Sequence, residues 1–429
     1  MTIKTILSII FSISIAISQK VISLNNAIQI ATEKSFSIIS SQQNVESQKS
    51  NLNVAFGSLF PSFNISTSFD ETKTNSPNKN NSNKFTSDFG YNSNASITIT
   101  SGMLDGFEKA KLDVKISELS HKEKLQTIQI QTIQLYLNIL RTKELLEVRK
   151  ENLNRSKSQL TRIQEIFKVG GIAQSDVFRQ QVIVSNDELS LIQSQNEFDK
   201  ANVDLVLFLA LNPLENYIFE DETISKNINE NELQNFDVSK MSVDSLVEIA
   251  IENRLNYTLA KKNLDVANLQ LKYYEGELYP SLTLNSNLNY GGEKFSTTTF
   301  GNFSIGATFS YPIFNNFRTE NSIQQSKIKI ESAKENLSLK EREIKAEIKK
   351  ILLDFDAAKK SLEVSQVGVI SATEDRKIAD EKYTLGAGTL LDKIIADANY
   401  ISAVNNKVNT VYNYFLIQKN FEYTLGILM

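Results

Sequence analysis

Two glycine-bearing stretches are where this chain looks equipped for chemistry. Phe167–Gln181 reads FKVGGIAQSDVFRQQ, and Tyr383–Tyr400 reads YTLGAGTLLDKIIADANY. Paired glycines followed by Ser or Thr could cradle a phosphate, because bare backbone N–H groups at a helix start point at an anion. A phosphate loop, however, needs G-x-x-x-x-G-K-[ST] after a strand, or G-x-G-x-x-G opening a strand–helix–strand unit. Gly386-Ala387-Gly388 follows a helical pattern, lacks a third glycine and has no Lys-Ser or Lys-Thr after it. Gly170-Gly171 fits no better. The plainer role is a left-handed residue that ends one helix, followed by an N-cap that starts the next, for which Ser175, Asp176 and Thr389 are the candidates. Each stretch then reverses a long helical hairpin. The rest of the chemical inventory is thin. His121 stands between Ser120 and Lys122 on a helical pattern, as a solvated surface residue would. No nucleophile–base pair or metal-spaced cluster is visible, so no enzyme activity, cofactor or metal is expected.

The elements that carry these turns are long helices rich in Asn, Ser, Ile, Lys and Gln. The 429 residues include no Cys, no Trp, 1 His, 15 Gly and 5 Pro. The absence of Cys excludes disulfides, thiolate metal sites and a cysteine-linked lipid anchor. A net charge of −4, from 46 basic and 50 acidic residues, leaves no nucleic-acid footprint. Lys4 followed by the apolar run Ile6–Ile17 reads as a signal peptide over 1–18, with Ala16 and Ser18 at the −3 and −1 positions of a cleavage site. No other stretch reaches the ~18 apolar residues of a membrane helix. The chain is expected to be exported and to meet a membrane, if at all, in another way.

It also reads as one plan written twice. GSLFPSFNISTSF (Gly57–Phe69) matches GELYPSLTLNSNL (Gly276–Leu288), and the same register sets Ala31 against Ala250 and Asn44 against Asn263. Further on, Asp105-Gly106-Phe107 faces Asn315-Asn316-Phe317, Gly170 faces Gly386 and Asp176 faces Asp392. Each copy runs helix, strand, strand, very long helix, glycine break, long helix. The expected divisions are a first repeat over 19–212, an acidic, Asn-rich linker over 213–240 and a second repeat over 241–429.

The strands carry the clearest alternation. Phe63, Ile65 and Phe69 alternate with Ser62, Asn64, Ser66 and Ser68; Tyr91, Ala95, Ile97 and Ile99 with Asn92, Asn94, Ser96 and Thr98. In the second copy Leu282, Leu284, Leu288 and Tyr290 oppose Thr283, Asn285, Asn287 and Asn289. Phe303, Ile305, Ala307, Phe309 and Tyr311 oppose Asn302, Ser304, Thr308 and Ser310. A soluble sandwich would carry charges on its outer face. A hydroxyl-and-amide face with almost no charge suits the wall of a water-filled lumen, and about ten residues is the length a tilted membrane strand needs. The long polar excursion Thr72–Asp88 and the shorter Gly291–Thr299 join the strand pairs. Four strands cannot close a barrel, since the smallest have about eight, and open edges in lipid leave backbone groups unsatisfied. The chain must oligomerise, and three copies would give twelve strands.

From Phe107 to Phe167 and from Phe317 to Tyr383 there is no proline and almost no glycine, so each segment could form a helix roughly 90–100 Å long. Ile344, Ile348, Ile351, Phe355, Ala358 and Leu362 step by four and three like a coiled coil, as do Ile130, Ile133, Leu137 and Leu140. Ala398, Ile401, Asn405, Val408, Tyr412 and Phe415 keep that rhythm on a return helix. Leu135, Ile139, Leu146 and Leu352 lie off these seams, as they would in a closed ring where each helix has two neighbours. A secreted or periplasmic coiled-coil structural protein is the rival reading. It accounts for the helices but not for the leader or the lumen-like strands.

A duplicated strand pair plus long helical hairpin behind a leader resembles the TolC-like outer-membrane efflux proteins over essentially the whole mature chain. The resemblance is carried by SLNNAIQIATEKS, by LFPSF and LYPSL at the strand entries, by the tips VGGIAQSDV (Val169–Val177) and YTLGAGTLLDKI (Tyr383–Ile394), and by LFLALN and YTLGIL at the ends of the copies. It implies a homotrimer with a twelve-stranded β-barrel in outer-membrane lipid, continued by an α-helical coiled-coil barrel across the periplasm. It further implies a passive exit duct for efflux or type I secretion, opened at its helical tips by a periplasmic adaptor and an inner-membrane pump. By the same resemblance Tyr383 and Asp176 help hold the aperture shut, and Asp392 contributes to a ring of carboxylates whose mutual repulsion would raise their pKa values. Val169, Gly170, Gly171, Leu385, Gly386, Gly388 and Thr389 are the implied docking tips. Two departures stand out: Gly388 occupies the place of a latching Arg, and Ile395 that of a second aperture acid, with Asp397 two residues further on. A less tightly latched aperture is expected.

Overall fold

The computed structural model describes residues 20–74, 84–220, 242–292 and 300–428. The leader read at 1–18, the centres of the two strand-joining loops and most of the 213–240 linker lie outside the described residues.

Amphipathic and alternating segments fold where their periods place them. The order is β1 (Lys20–Ile22), α1 (Leu24–Lys34), α2 (Phe36–Gly57), β2 (Ser62–Thr74), β3 (Lys84–Ile99), α3 (Met103–Lys168) and α4 (Gln174–Phe208). Then come β4 (Tyr217–Phe219), α5 (Val243–Asn253), α6 (Leu255–Gly276), β5 (Ser281–Gly292), β6 (Phe300–Ser310), α7 (Arg318–Thr384) and α8 (Leu390–Thr424). The sequence of two helices, two strands, one very long helix and one 35-residue helix thus occurs twice. α3 and α7 run for 66 and 67 residues, matching the proline-free segments.

Two features differ from the sequence expectation. The first helix of each copy is split, at Ser35 and at Arg254, where one residue turns extended while its N–H still donates to Ala31 O or Ala250 O. The segment before each break is a short amphipathic helix, N-capped by the Ser23 or Ser242 hydroxyl and burying Leu24, Ala27 and Ala31, or Leu246, Val247 and Ala250. The second feature is a strand within the expected linker. Tyr217–Phe219 pairs in parallel with Lys20–Ile22. Ile22 and Phe219 are buried, Tyr136 Oη donates to Ile22 O at 2.9 Å, and the Tyr136 and Phe219 rings meet edge to face at 6.0 Å. Three residues are too few to show a period, so this pairing left no trace in the pattern.

The chain divides into two compact units. One gathers residues 1–35, 127–241 and 350–423; the other gathers 36–126, 242–349 and 424–429.

In the first, which is mostly helical, antiparallel pairings are written in the contacts. α3 lies along α4: Asn152 Nδ2 donates to Asp187 at 2.7 Å, and Gln180 Nε2 to Ser156 O at 3.1 Å. α7 lies along α8: the Ser365 and Thr410 hydroxyls are 2.8 Å apart, and the Phe355 and Tyr414 rings 5.4 Å apart. α3 and α8 also run together, through Gln134–Asn420 at 3.4 Å, Arg141–Asn409 at 2.9 Å and Arg155 over the Tyr400 ring at 5.7 Å. The helix order is therefore α4, α3, α8, α7. The expected seam residues Ile130, Ile133, Leu137, Leu140, Ile351, Phe355, Ala358 and Leu362 are buried, as are Ile139 and Leu146 beside them. Each fully buried side chain of this size contributes about 1.5–3 kcal/mol. Ala398 departs from the expected seam and stands exposed. The outer helices carry apolar residues with no cover: Phe178, Val182, Leu189, Ile192, Val203 and Leu207 on α4, and Leu353, Val364, Val367, Ile370 and Ile378 on α7.

The second unit holds an antiparallel sheet in the order β2-β3-β5-β6. Its register lines up the polar positions in rows: Asn64–Asn94–Asn287–Ser304, Ser66–Asn92–Asn289–Asn302 and Thr98–Thr283–Thr308. Asn92 hydrogen-bonds Asn289, and the Thr98 and Thr283 hydroxyls are 3.0 Å apart. Apolar rows lie between, as in Ile99–Leu282–Phe309. Phe63, Ile65, Phe69, Phe303, Ile305 and Phe309 on the two edge strands are exposed. In this unit His121 is half-buried rather than solvated as expected, with Nδ1 2.8 Å from Ser41 Oγ. Ser41 Oγ also lies 2.8 Å from Ile38 O, the carbonyl one turn back on its own helix. The pair clasps two helices.

The two copies end their last helix differently. Gly426 takes a left-handed φ of 75°, whereas Ala210 takes φ 52° without the benefit of glycine. Leu211 N–H donates to Val206 O and Ala210 N–H to Leu207 O, both at 3.0 Å, the bonds of a Schellman cap. A left-handed L-residue costs about 1–2 kcal/mol. Ala210→Gly is expected to stabilise the helical unit by about 0.5–1 kcal/mol, less than the full strain because glycine also loosens the unfolded chain. Thermal melting followed by helical circular dichroism reads this as a rise in Tm.

Candidate functional site

Both glycine turns belong to the helical unit and are built alike. At the first, Gly170 has φ 79°, Gly171 N–H donates to Ile166 O at 3.0 Å and Gly170 N–H to Phe167 O at 2.9 Å. At the second, Gly386 has φ 72°, Ala387 N–H donates to Lys382 O at 2.8 Å and Gly386 N–H to Tyr383 O at 3.2 Å. These are two Schellman caps, so the N–H groups that a phosphate would need are spent on helix carbonyls. Val169 and Leu385, the residues just before the left-handed glycines, are each 83% exposed.

The helix starts beyond the turns are not alike. Thr389 does cap α8: its Oγ1 accepts from Asp392 N–H at 3.2 Å, while Asp392 Oδ2 accepts from Thr389 N–H at 3.0 Å and from its hydroxyl at 2.7 Å. This is a reciprocal capping box. The bonds from Thr389 hold the Asp392 carboxyl below its ordinary pKa range. That direction is opposite to the one a ring of like charges would impose, so within one protomer Asp392 is a committed carboxylate. α4, by contrast, is preceded by Ala173, which gives no side-chain cap bond. Ser175 and Asp176 lie within its first turn, where the Asp176 carboxylate meets Arg179 at 3.3 Å and the helix dipole. Of the three expected N-caps only Thr389 fills that position.

Above the turns the two hairpins share a small apolar core. Ile163 of α3, Val177 of α4 and Leu390 of α8 are buried together, with Leu160, Ile172, Tyr383 and Ile394 packed against them. Tyr383 thus joins the seam and the aperture candidates. Burial, and secondarily the Asp176 charge, push its hydroxyl above the ordinary tyrosine pKa, with Arg162 opposing. The structure brings Tyr383 and Asp176 into electrostatic reach of each other. Asp392 stands apart on its own cap. A Cβ at Gly388 would sit 3.0 Å from Lys382 Cβ, so a side chain there fits only if that neighbour gives way by a few tenths of an ångström. Asp397 is taken up by Arg376 of α7 at 2.7 Å, and Arg376 lies 4.5 Å from the centre of the Tyr400 ring.

Between the hairpins lies a cleft of about 1120 Å³ lined by Arg155, Arg162, Arg376, Lys377 and Lys393 together with Asp187, Asp380 and Asp397. Burial raises the Asp187 carboxyl above its usual range, although Ser156, Arg149 and Asn152 pull the other way. Lys393 crosses this cleft: its Nζ donates to Gln159 Oε1 on α3 at 3.1 Å and pairs with Asp380 on α7. Sequence reading did not find Lys393, Gln159 or Asp380. They lie on three different helices, and the one available signal was a lysine beside the Asp392 cap. Among the described residues no cluster suited to a metal ion is present, and no helix is long and apolar enough to cross a membrane.

Known proteins share this fold. The family model described as Outer membrane efflux protein matches residues 27–211 and 246–421. The outer membrane protein TolC of Escherichia coli K12 is 23% identical over 364 residues, covering 79% of this chain and 71% of that protein. TolC of Salmonella enteritidis is 23% identical over 361 residues, covering 79% and 70%. Among solved structures, the Campylobacter jejuni CmeC outer membrane channel superposes with a TM-score of 0.81 at 20% identity, over 94% of this chain and 85% of that one. The open-state MtrE outer membrane channel of Neisseria gonorrhoeae gives 0.78 at 13% identity, over 94% and 89%. The fold is that of outer-membrane channels, and the chain belongs to the outer membrane efflux protein family.

Proposed function

We propose that this chain is the protomer of a passive outer-membrane exit duct, a homotrimer serving a tripartite efflux or type I secretion system. The observation that carries this reading is a protomer with matched, unfilled edges. The sheet ends on β2 and β6, both open to further pairing, with apolar side chains exposed beside them. The helical layer ends on α4 and α7, both with uncovered apolar stripes. A head-to-tail interface repeated around a closing rotation would satisfy a pair of open edges of either kind. With four strands from each copy, three copies make the twelve-stranded barrel that the family resemblance implies, with neutral Asn, Ser and Thr rows toward the lumen and aromatic residues toward lipid. The two similar halves are the products of an internal duplication, with boundaries at 19–212 and 241–429, and the leader at 1–18 directs export.

Within this duct the tips are the aperture. Tyr383, seated against Val177 and near Asp176, ties the second hairpin to the first. Asp392 supplies one carboxylate per protomer at the constriction. Val169, Gly170, Gly171, Leu385, Gly386, Gly388 and Thr389 form the surface on which a periplasmic adaptor docks, with an inner-membrane pump supplying energy. Similarity to efflux channels supports these roles.

Two measurements test the proposal. Cross-linked outer-membrane fractions should contain a trimer, and fractionation of the chain away from the outer membrane would favour the structural coiled coil instead. In planar bilayers Tyr383→Phe should raise the resting conductance, and Asp392→Asn should lower the preference for cations over anions. A closed-state current unchanged by Tyr383→Phe would remove the latch assignment, and unchanged selectivity in Asp392→Asn would remove the carboxylate ring.

A further inference from the structure

We infer that Lys393 is a positioning residue that clasps the two hairpins of one protomer, at a place where Gly388 provides no side chain to do so. The inference rests on the duct reading above. Lys393 sits on the first turn of α8, and its side chain is 12% exposed. Its ammonium donates to Gln159 Oε1 at 3.1 Å on α3, pairs with Asp380 on α7 and lies 5.6 Å from the centre of the Tyr383 ring. One cation therefore holds three helices of the tip region together.

The partners divide the work unequally. Asp380 is 53% exposed and belongs to the same hairpin as Lys393, so that pair survives any parting of the hairpins and contributes little to holding them. Gln159 belongs to the other hairpin, and its bond to the ammonium must break when the two separate. The bond is charge-assisted and partly shielded from water, which makes it the stronger kind. Gln159 Nε2 is buried without a partner, an opposing cost smaller than the charge-assisted bond made by the same side chain, so the contact holds the hairpins by a modest net margin. It lies on the α3–α8 face, where the other rungs are Gln134–Asn420, Arg141–Asn409 and Arg155–Tyr400. Lys393 is the rung nearest the turns, so it is the one that a force applied at the tips reaches first.

The test uses the full-length assembled channel in planar bilayers. Lys393→Met and Gln159→Leu should each raise the resting conductance about tenfold, the factor carried by one charge-assisted hydrogen bond. The double variant should exceed neither single one, because both remove the same bond. Lys393→Arg, which keeps the charge and the donors, should stay near the parent. Parental conductance in either single variant, or effects that add in the double variant, would overturn the clasp. If Lys393→Met fails to assemble, judged by trimer yield and helical circular dichroism, Gln159→Leu alone decides. A parent chain that forms no trimeric channel defeats the duct reading itself. A conducting parent with unresponsive variants defeats only the clasp.

Discussion

The helical unit depends on where two very long helices are made to turn. A coiled-coil seam has no intrinsic stopping point, since each residue added to it extends the same contacts. What fixes register is the single left-handed glycine at each turn, Gly170 or Gly386, which consumes the last carbonyls and sends the chain back within a few residues. Once the turn is set, Asn152 must meet Asp187, Gln180 must meet Ser156, and Ser365 must meet Thr410. A shift of one residue at a glycine would carry the partners within its own hairpin off their faces.

The same constraint explains why the tip residues divide into those that shape and those that act. Asp392 binds Thr389 on both its backbone and its side chain and so begins the return helix. Tyr383 closes the apolar core that unites the hairpins. Within a hairpin, hydrogen bonds such as Asn152–Asp187 and Ser365–Thr410 are joined by buried rings, with Phe355 against Tyr414 and Phe421. Between hairpins the apolar core is confined to the tips, and beyond it the contacts include amides, guanidinium groups and one ammonium, which exchange partners with water at small net cost.

Much of this was legible in the residues. Alternation in Asn92–Ile99 and Leu282–Tyr290 gave both the strands and their faces, and the register sets those polar positions side by side. The glycine turns and the Thr389 cap followed from local chemistry alone. What escaped was non-local or too short. The β1–β4 pairing uses three residues from each end of a long stretch of chain, and the Lys393–Gln159 bond joins residues 234 apart. The splits at Ser35 and Arg254 carry no proline or glycine to announce them. Ser175 and Asp176 have the right side chains for an N-cap, yet the backbone enters the helix two residues earlier, at Ala173, and leaves them inside the first turn.

One consequence of the sheet has to do with friction. Rows such as Asn64–Asn94–Asn287 present groups that both donate and accept, at nearly uniform spacing and without net charge. Water held by one amide can pass to the next at almost constant energy, because each bond broken is replaced by an equivalent one. A charged row would instead hold counter-ions in fixed wells. On the proposed reading, the sheet end of the duct lubricates traffic and leaves discrimination to the helices. Cargo of either sign should then meet the same drag along these neutral rows, and only the paired Asp70 and Asp88 on the same face would tell the signs apart.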